Sequence, residues 1–114
     1  MTEKTISILG EEWRIKYQTA KENKELKNCD GYTDHTNHTI YYRKYLKGEY
    51  GYINISRVEI RALRHEIVHA FLFESGLWVD SGESSAWSMN EEMVDWIAQQ
   101  YPKISKVYKS LGIE

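Results

Sequence analysis

Residues 63–77 read Leu63-Arg64-His65-Glu66-Ile67-Val68-His69-Ala70-Phe71-Leu72-Phe73-Glu74-Ser75-Gly76-Leu77, and the rest of the chain is best read outward from them. No Pro interrupts the stretch, and Ile60, Leu63, Ile67, Ala70 and Phe71 recur at helical spacing, which predicts a helix over about 57–75. Upstream, Ser56 and Glu59 have capping-box spacing, and Gly76 supplies a stop. His65 and His69 stand roughly 40° apart around the axis, so both imidazoles leave one face, and Glu66 lies about 60° from His69. Two imidazole nitrogens so placed can take adjacent corners of a zinc tetrahedron, while Glu66 can reach a water on the ion without ligating it. Zinc brings the pKa of that water near neutrality, and a carboxylate beside it can take the proton. A lone histidine reads more simply as a hydrogen-bonded core or surface group. Two at this spacing in an apolar helix, with Glu between them, favour the metal.

Catalytic zinc takes three protein ligands and leaves one position open. The downstream candidates are in Asn90-Glu91-Glu92-Met93-Val94-Asp95, at the start of a second helix predicted over about 88–101. Ser88 and Glu91 repeat the box spacing there, and Met93, Val94, Ile97, Ala98 and Tyr101 continue the apolar pattern to Pro102. Glu91 and Asp95 share a face, so one can bind the ion while the other holds a ligand's ring N–H. Spacing alone leaves Glu92 as a rival to Glu91. A terminal helix is expected over about 103–111, ended by Gly112.

The first half reads as strands, over about 5–55. Ile6 and Ile8 alternate with polar neighbours, as do Trp13, Ile15 and Tyr17 beyond a Gly10-Glu11 turn. Lys21 to Asn28 is polar, a loop or short exposed helical turn. Gly31 to Asp34 and Thr39 to Arg43 are predicted strands, and a short one is expected around Ile53 and Ile55. Strands followed by helices define an α+β class: a small mixed N-terminal sheet against an active-site helix and a C-terminal ligand-bearing helix. With 114 residues the chain reads as a single domain over 1–114.

Composition narrows the function classes. Hydrophobic residues at 41% and charged ones at 28% are those of a globular protein rather than a disordered chain. Nine Tyr and four Trp give a short chain large side chains to bury. A net charge of −2 without a basic block argues against nucleic acid as a partner. Cys29 alone cannot form an intramolecular disulfide, which fits a reducing compartment. With no signal-peptide pattern and no apolar run of membrane-spanning length, cytoplasmic residence without membrane contact is expected.

The stretch from Leu63 to Leu77 resembles the active-site helix of the gluzincin metallopeptidases. Asn90, Glu91 and Asp95, in the pattern Asn-Glu-x-x-x-Asp, are similar to the thermolysin-type segment that carries a Glu ligand and a supporting Asp. Glu91, Val94, Asp95, Ile97 and Ala98 also resemble the ligand helix of the ImmA/IrrE-like peptidases, compact proteins frequent on phages and mobile elements. The resemblance covers roughly residues 56–101. It implies a zincin-like fold, one zinc per chain on His65, His69 and Glu91, Asp95 as support to a ligand, and Glu66 as general base. The implied activity is zinc-dependent hydrolysis of peptide bonds in a peptide or protein substrate. The chain lacks the subdomain that supplies oxyanion-stabilising groups in thermolysin-type enzymes. That favours an alternative, a zinc-binding phage or mobile-element accessory module with little peptidase activity; a metal-free partner-binding protein is a further one.

Other groups have weaker readings. His35 and His38 with Asp34 could hold a metal, but turn polarity explains them. Tyr32, His35, Tyr50, Tyr52 and Tyr101 are all conceivable oxyanion donors. Arg57, Arg61 and Arg64 read as a solvated face. A substrate adding to a sheet edge is expected beside Thr39 to Arg43.

Overall fold

A computed structural model describes residues 3–80 and 90–112. The chain is α+β. Strands β1 (Glu3–Ile8), β2 (Glu11–Gln18), β3 (Gly31–Asp34) and β4 (Thr39–Arg43) precede helices α1 (Ile55–Glu74), α2 (Leu77–Asp80) and α3 (Glu91–Leu111). Two 3₁₀ turns, Lys24–Lys27 and Glu49–Gly51, lie in the connections before β3 and after β4.

The strands form one mixed sheet in the order β1-β2-β4-β3. β1 and β2 are antiparallel, joined through Leu9 and Gly10 with φ of 50° and 90°. Positive φ at both central residues is what a tight hairpin with right-handed strand twist requires, so the turn is Leu9-Gly10 rather than Gly10-Glu11. β2 runs parallel to β4, and β3 is antiparallel to β4. β4 is therefore interior, with Thr39 and Ile40 fully buried, and β3 is a free edge. This corrects the expectation of an edge at Thr39 to Arg43. The parallel β2–β4 pairing brings together distant segments, and local alternation carries no sign of it.

Helix α1 lies on the sheet. Ile8, Trp13, Ile15, Ile40 and Ala70 form the core, flanked by Ile6, Tyr42, Leu63, Ile67 and Phe73. Trp13 also donates its indole N–H to Glu74 at 2.7 Å. Of the expected apolar stripe, Leu63, Ile67 and Ala70 face this core, while Ile60 is exposed.

The N-terminus of α1 differs from the box reading. Asn54 is the cap, accepting from the Arg57 N–H at 3.0 Å. Glu59 turns inward instead, accepting from the Tyr17 hydroxyl at 2.6 Å and the Tyr45 N–H at 2.9 Å. The expected strand at Ile53 and Ile55 does not form: Ile53 is fully exposed and Ile55 opens α1. The expected stop holds, with Ser75 as C-cap and Gly76 at φ 84°.

Pro102 lies inside α3, so the two helices predicted over 88–101 and 103–111 are one. An internal proline costs about 3 kcal/mol. Val94 and Ala98 are buried before it, and Ala98 and Pro102 line a groove against α1, so the helix is packed up to and at the proline. Ser88, the proposed start of the ligand helix, lies outside the described residues. No helix among the described residues is long and apolar enough to cross a membrane.

Candidate metal centre

His65 and His69 leave α1 on the side that meets the first turn of α3. Their Nε2 atoms are 3.1 Å apart. Glu91, the first residue of α3, spans both: one oxygen lies 3.1 Å from His65 Nε2 and the other 3.0 Å from His69 Nε2. His69 is buried, whereas the Glu91 side chain is 72% exposed, so the cluster opens toward solvent over Glu91. Among the described residues these three are the one group of such donors close enough to hold an ion. Glu92 is not among them.

The donor set fits zinc. Bonds of about 2.0–2.2 Å in a tetrahedron place ligand atoms roughly 3.3–3.6 Å apart. The contacts among the two Nε2 atoms and the two Glu91 oxygens are 3.0–3.1 Å, close to that spacing. Burial, with His65 beside it, holds His69 below the ordinary imidazole range despite Glu91, which keeps its ring neutral for ligation. His69 Nδ1 is buried without a partner among the described residues, while Trp78 packs on the ring with centroids 5.6 Å apart.

Asp95, one turn along α3, meets His65 Nδ1 at 3.1 Å. Its other oxygen accepts from Arg61 at 3.0 Å, and Gln99 Nε2 lies 3.3 Å from the first. Arg61 is therefore not simply part of a solvated face. Helical spacing carried this signal, since Arg61 stands four before His65 and Gln99 four after Asp95.

Glu66, 7% exposed, lines clefts with His65, His69 and Glu91 and turns toward Thr33 of the sheet. The Thr33 hydroxyl is 2.8 Å from its Oε1, the bond that anchors the carboxylate. Burial pushes this carboxyl up to about 7, against the pull of Thr33 and His65. Such a group exchanges protons near neutrality. Gly31, on the same strand face as Thr33, makes room for it. A Cβ at Gly31 would sit 2.8 Å from the Tyr41 carbonyl oxygen and 3.2 Å from Glu66 Cγ. Gly31→Ala is expected to lower stability by about 1–3 kcal/mol through this overpacking. Chemical denaturation would show it, and wild-type stability would mean that β3 and Glu66 are not this close.

Two clefts flank the triad and share Gly31, Glu66 and Glu91. One, of about 520 Å³, continues past His65 to Asp30, Tyr52 and Arg61. The other, of about 390 Å³, passes His69 to Tyr32, Thr33 and Trp78. Together they follow β3. The Arg43 N–H donates to the Asp30 carbonyl at 2.8 Å, so by antiparallel alternation Tyr32 also faces β4. The backbone groups of Gly31 and Thr33 then point to the open edge.

Of the conceivable oxyanion donors, Tyr52 lines the cleft beside His65 and Glu91. Tyr50 lies on Arg43, Tyr101 lines a groove on the far side of α1, and the Tyr32 hydroxyl accepts from Asn23 at 2.8 Å. His35 packs between Phe73 and Trp78, and His38 stacks on Trp13 and meets Glu74 at 3.2 Å. Asp34 binds Thr36, so Asp34, His35 and His38 are each engaged separately. No protein-family model matches the chain, and comparisons with curated proteins and with solved structures find no match.

Proposed function

We propose that the chain is a zinc metallopeptidase of gluzincin type, zincin-like in fold, with His65, His69 and Glu91 as ligands and Glu66 as general base. The observation that carries this is the convergence of two imidazoles and a carboxylate beside a buried carboxylate that lines the same open clefts. Bound there, zinc would polarise a carbonyl and lower the pKa of water. Glu66 takes the proton of the attacking water and returns it to the leaving amine. Thr33 holds Glu66 in place, and Asp95 holds His65 with Nε2 toward His69 and Glu91. The peptide adds as a strand beside β3, against the open backbone groups of Gly31 and Thr33.

Metal analysis of protein purified without a histidine tag, followed by cleavage of a peptide library, tests this. One zinc per chain and cleavage lost to a chelator and restored by zinc are expected. Absence of both bound metal and zinc-dependent cleavage would sink the proposal. A second reading, a zinc-holding interaction module, is favoured by the apolar groove of about 490 Å³ between α1 and α3, lined by Val68, Phe71, Ile97 and Tyr101 away from the metal donors. Zinc without cleavage of any library member would select it.

A further inference from the structure

Two ladders of polar side chains face each other between α1 and α3. On α1, Arg61, His65 and His69 stand four apart; on α3, so do Glu91, Asp95 and Gln99. The contacts run in opposite chain directions. Glu91 meets His69 at 3.0 Å and His65 at 3.1 Å. Asp95 meets His65 Nδ1 at 3.1 Å and accepts from Arg61 at 3.0 Å. Gln99 Nε2 donates to the Arg61 carbonyl oxygen at 3.1 Å and faces Asp95 Oδ1 at 3.3 Å. The metal donors are thus the last rung of an antiparallel zipper that begins at Arg61 and Gln99.

The first rung bears on the last through Asp95. One Asp95 oxygen faces His65 and Gln99, and the other faces Arg61, so the carboxylate has donors on both sides. A carboxylate paired with the Arg61 guanidinium offers only acceptor oxygens, so the facing His65 Nδ1 carries the ring proton. The neutral ring is then bare at Nε2, the atom aimed at His69 and Glu91.

We propose that Arg61 and Gln99 are positioning residues for the metal centre, fixing Asp95 and through it the tautomer and ring orientation of His65. This rests on the zinc reading and extends it to two residues that do not touch the donor atoms. Arg61 uses one nitrogen toward Asp95, so a lysine can supply the same single donor. The Arg61–Asp95 pair is largely exposed, and such pairs add little to folding, so its loss should leave the melting temperature of the metal-free protein nearly unchanged.

The test is zinc affinity by chelator competition in wild type, Arg61→Met, Arg61→Lys and Gln99→Leu, with ¹⁵N shifts of the His65 ring in the metal-free proteins. Arg61→Met and Gln99→Leu are expected to bind zinc about tenfold more weakly, and Arg61→Lys to recover most of that loss. The His65 ring should go from Nδ1-protonated in wild type to a mixture of tautomers in those two variants. Wild-type zinc affinity in both variants would overturn the proposal. If the wild type takes up no zinc, the zinc reading fails instead, and the His65 tautomer decides: the same tautomer in all four proteins would overturn the positioning role.

Discussion

Glu66→Gln is expected to keep zinc bound and to lower kcat/KM for peptide hydrolysis by about 10²–10⁴-fold, the usual contribution of a positioned general base. The substitution isolates the proton transfer. Glutamine matches glutamate in length, so its amide oxygen can still accept from the Thr33 hydroxyl, now 2.8 Å from the carboxylate. Its Cγ can keep its place over Gly31, where there is no spare room. The proposed donors His65, His69 and Glu91 are untouched. What disappears is the ability to take a proton from water and pass it on. Zinc content and hydrolysis should be measured on the same preparation, so that a lost ion is not mistaken for a lost base. A Glu66→Gln protein that holds zinc and hydrolyses peptides at the wild-type rate would end the proposed mechanism.

How much of this was legible in the sequence depends on whether the signal was local. Helix α1 could be read because His65, Glu66, His69 and the Leu63, Ile67, Ala70 stripe all repeat within single turns. The meeting of Glu91 with both histidines was implied by resemblance, since spacing left Glu92 open. Its geometric reason is that Glu91 and Asp95 share the face of α3 turned to α1, and Glu92 lies about 100° away from Glu91. The features that sequence reading missed come from tertiary pairing. β4 became interior because β2 pairs with it in parallel, which left β3 as the edge along the cleft. Glu59 gave up the cap for Tyr17 and Tyr45, groups distant in sequence. Pro102 looked like a terminus because its local cost is real, yet packing against α1 carries the helix through it. Gly31 and Thr33 show why part of the site stayed hidden: nothing in a four-residue strand reveals that a helical glutamate will rest on it.

His69→Ala is expected to abolish tight zinc binding and with it any zinc-dependent rise in melting temperature. Two donors would remain, His65 and the exposed Glu91, and a catalytic zinc site needs three. For the wild type, zinc at 100 times its dissociation constant stabilises the folded state by about 2.7 kcal/mol, equivalent to roughly 10 °C for a domain of this size. His69 is buried under Trp78, so its truncation also leaves a void and lowers the melting temperature without metal. The informative quantity is therefore the shift between zinc-loaded and metal-free protein within each variant, which cancels the packing loss. Removing His65 makes a useful contrast, because it strips Asp95 of a partner while leaving Arg61 and Gln99 on it. Both variants should give a shift near zero. A His69→Ala protein that keeps the full wild-type shift would place the zinc elsewhere, and the triad of His65, His69 and Glu91 would then be only a hydrogen-bonded cluster between two helices.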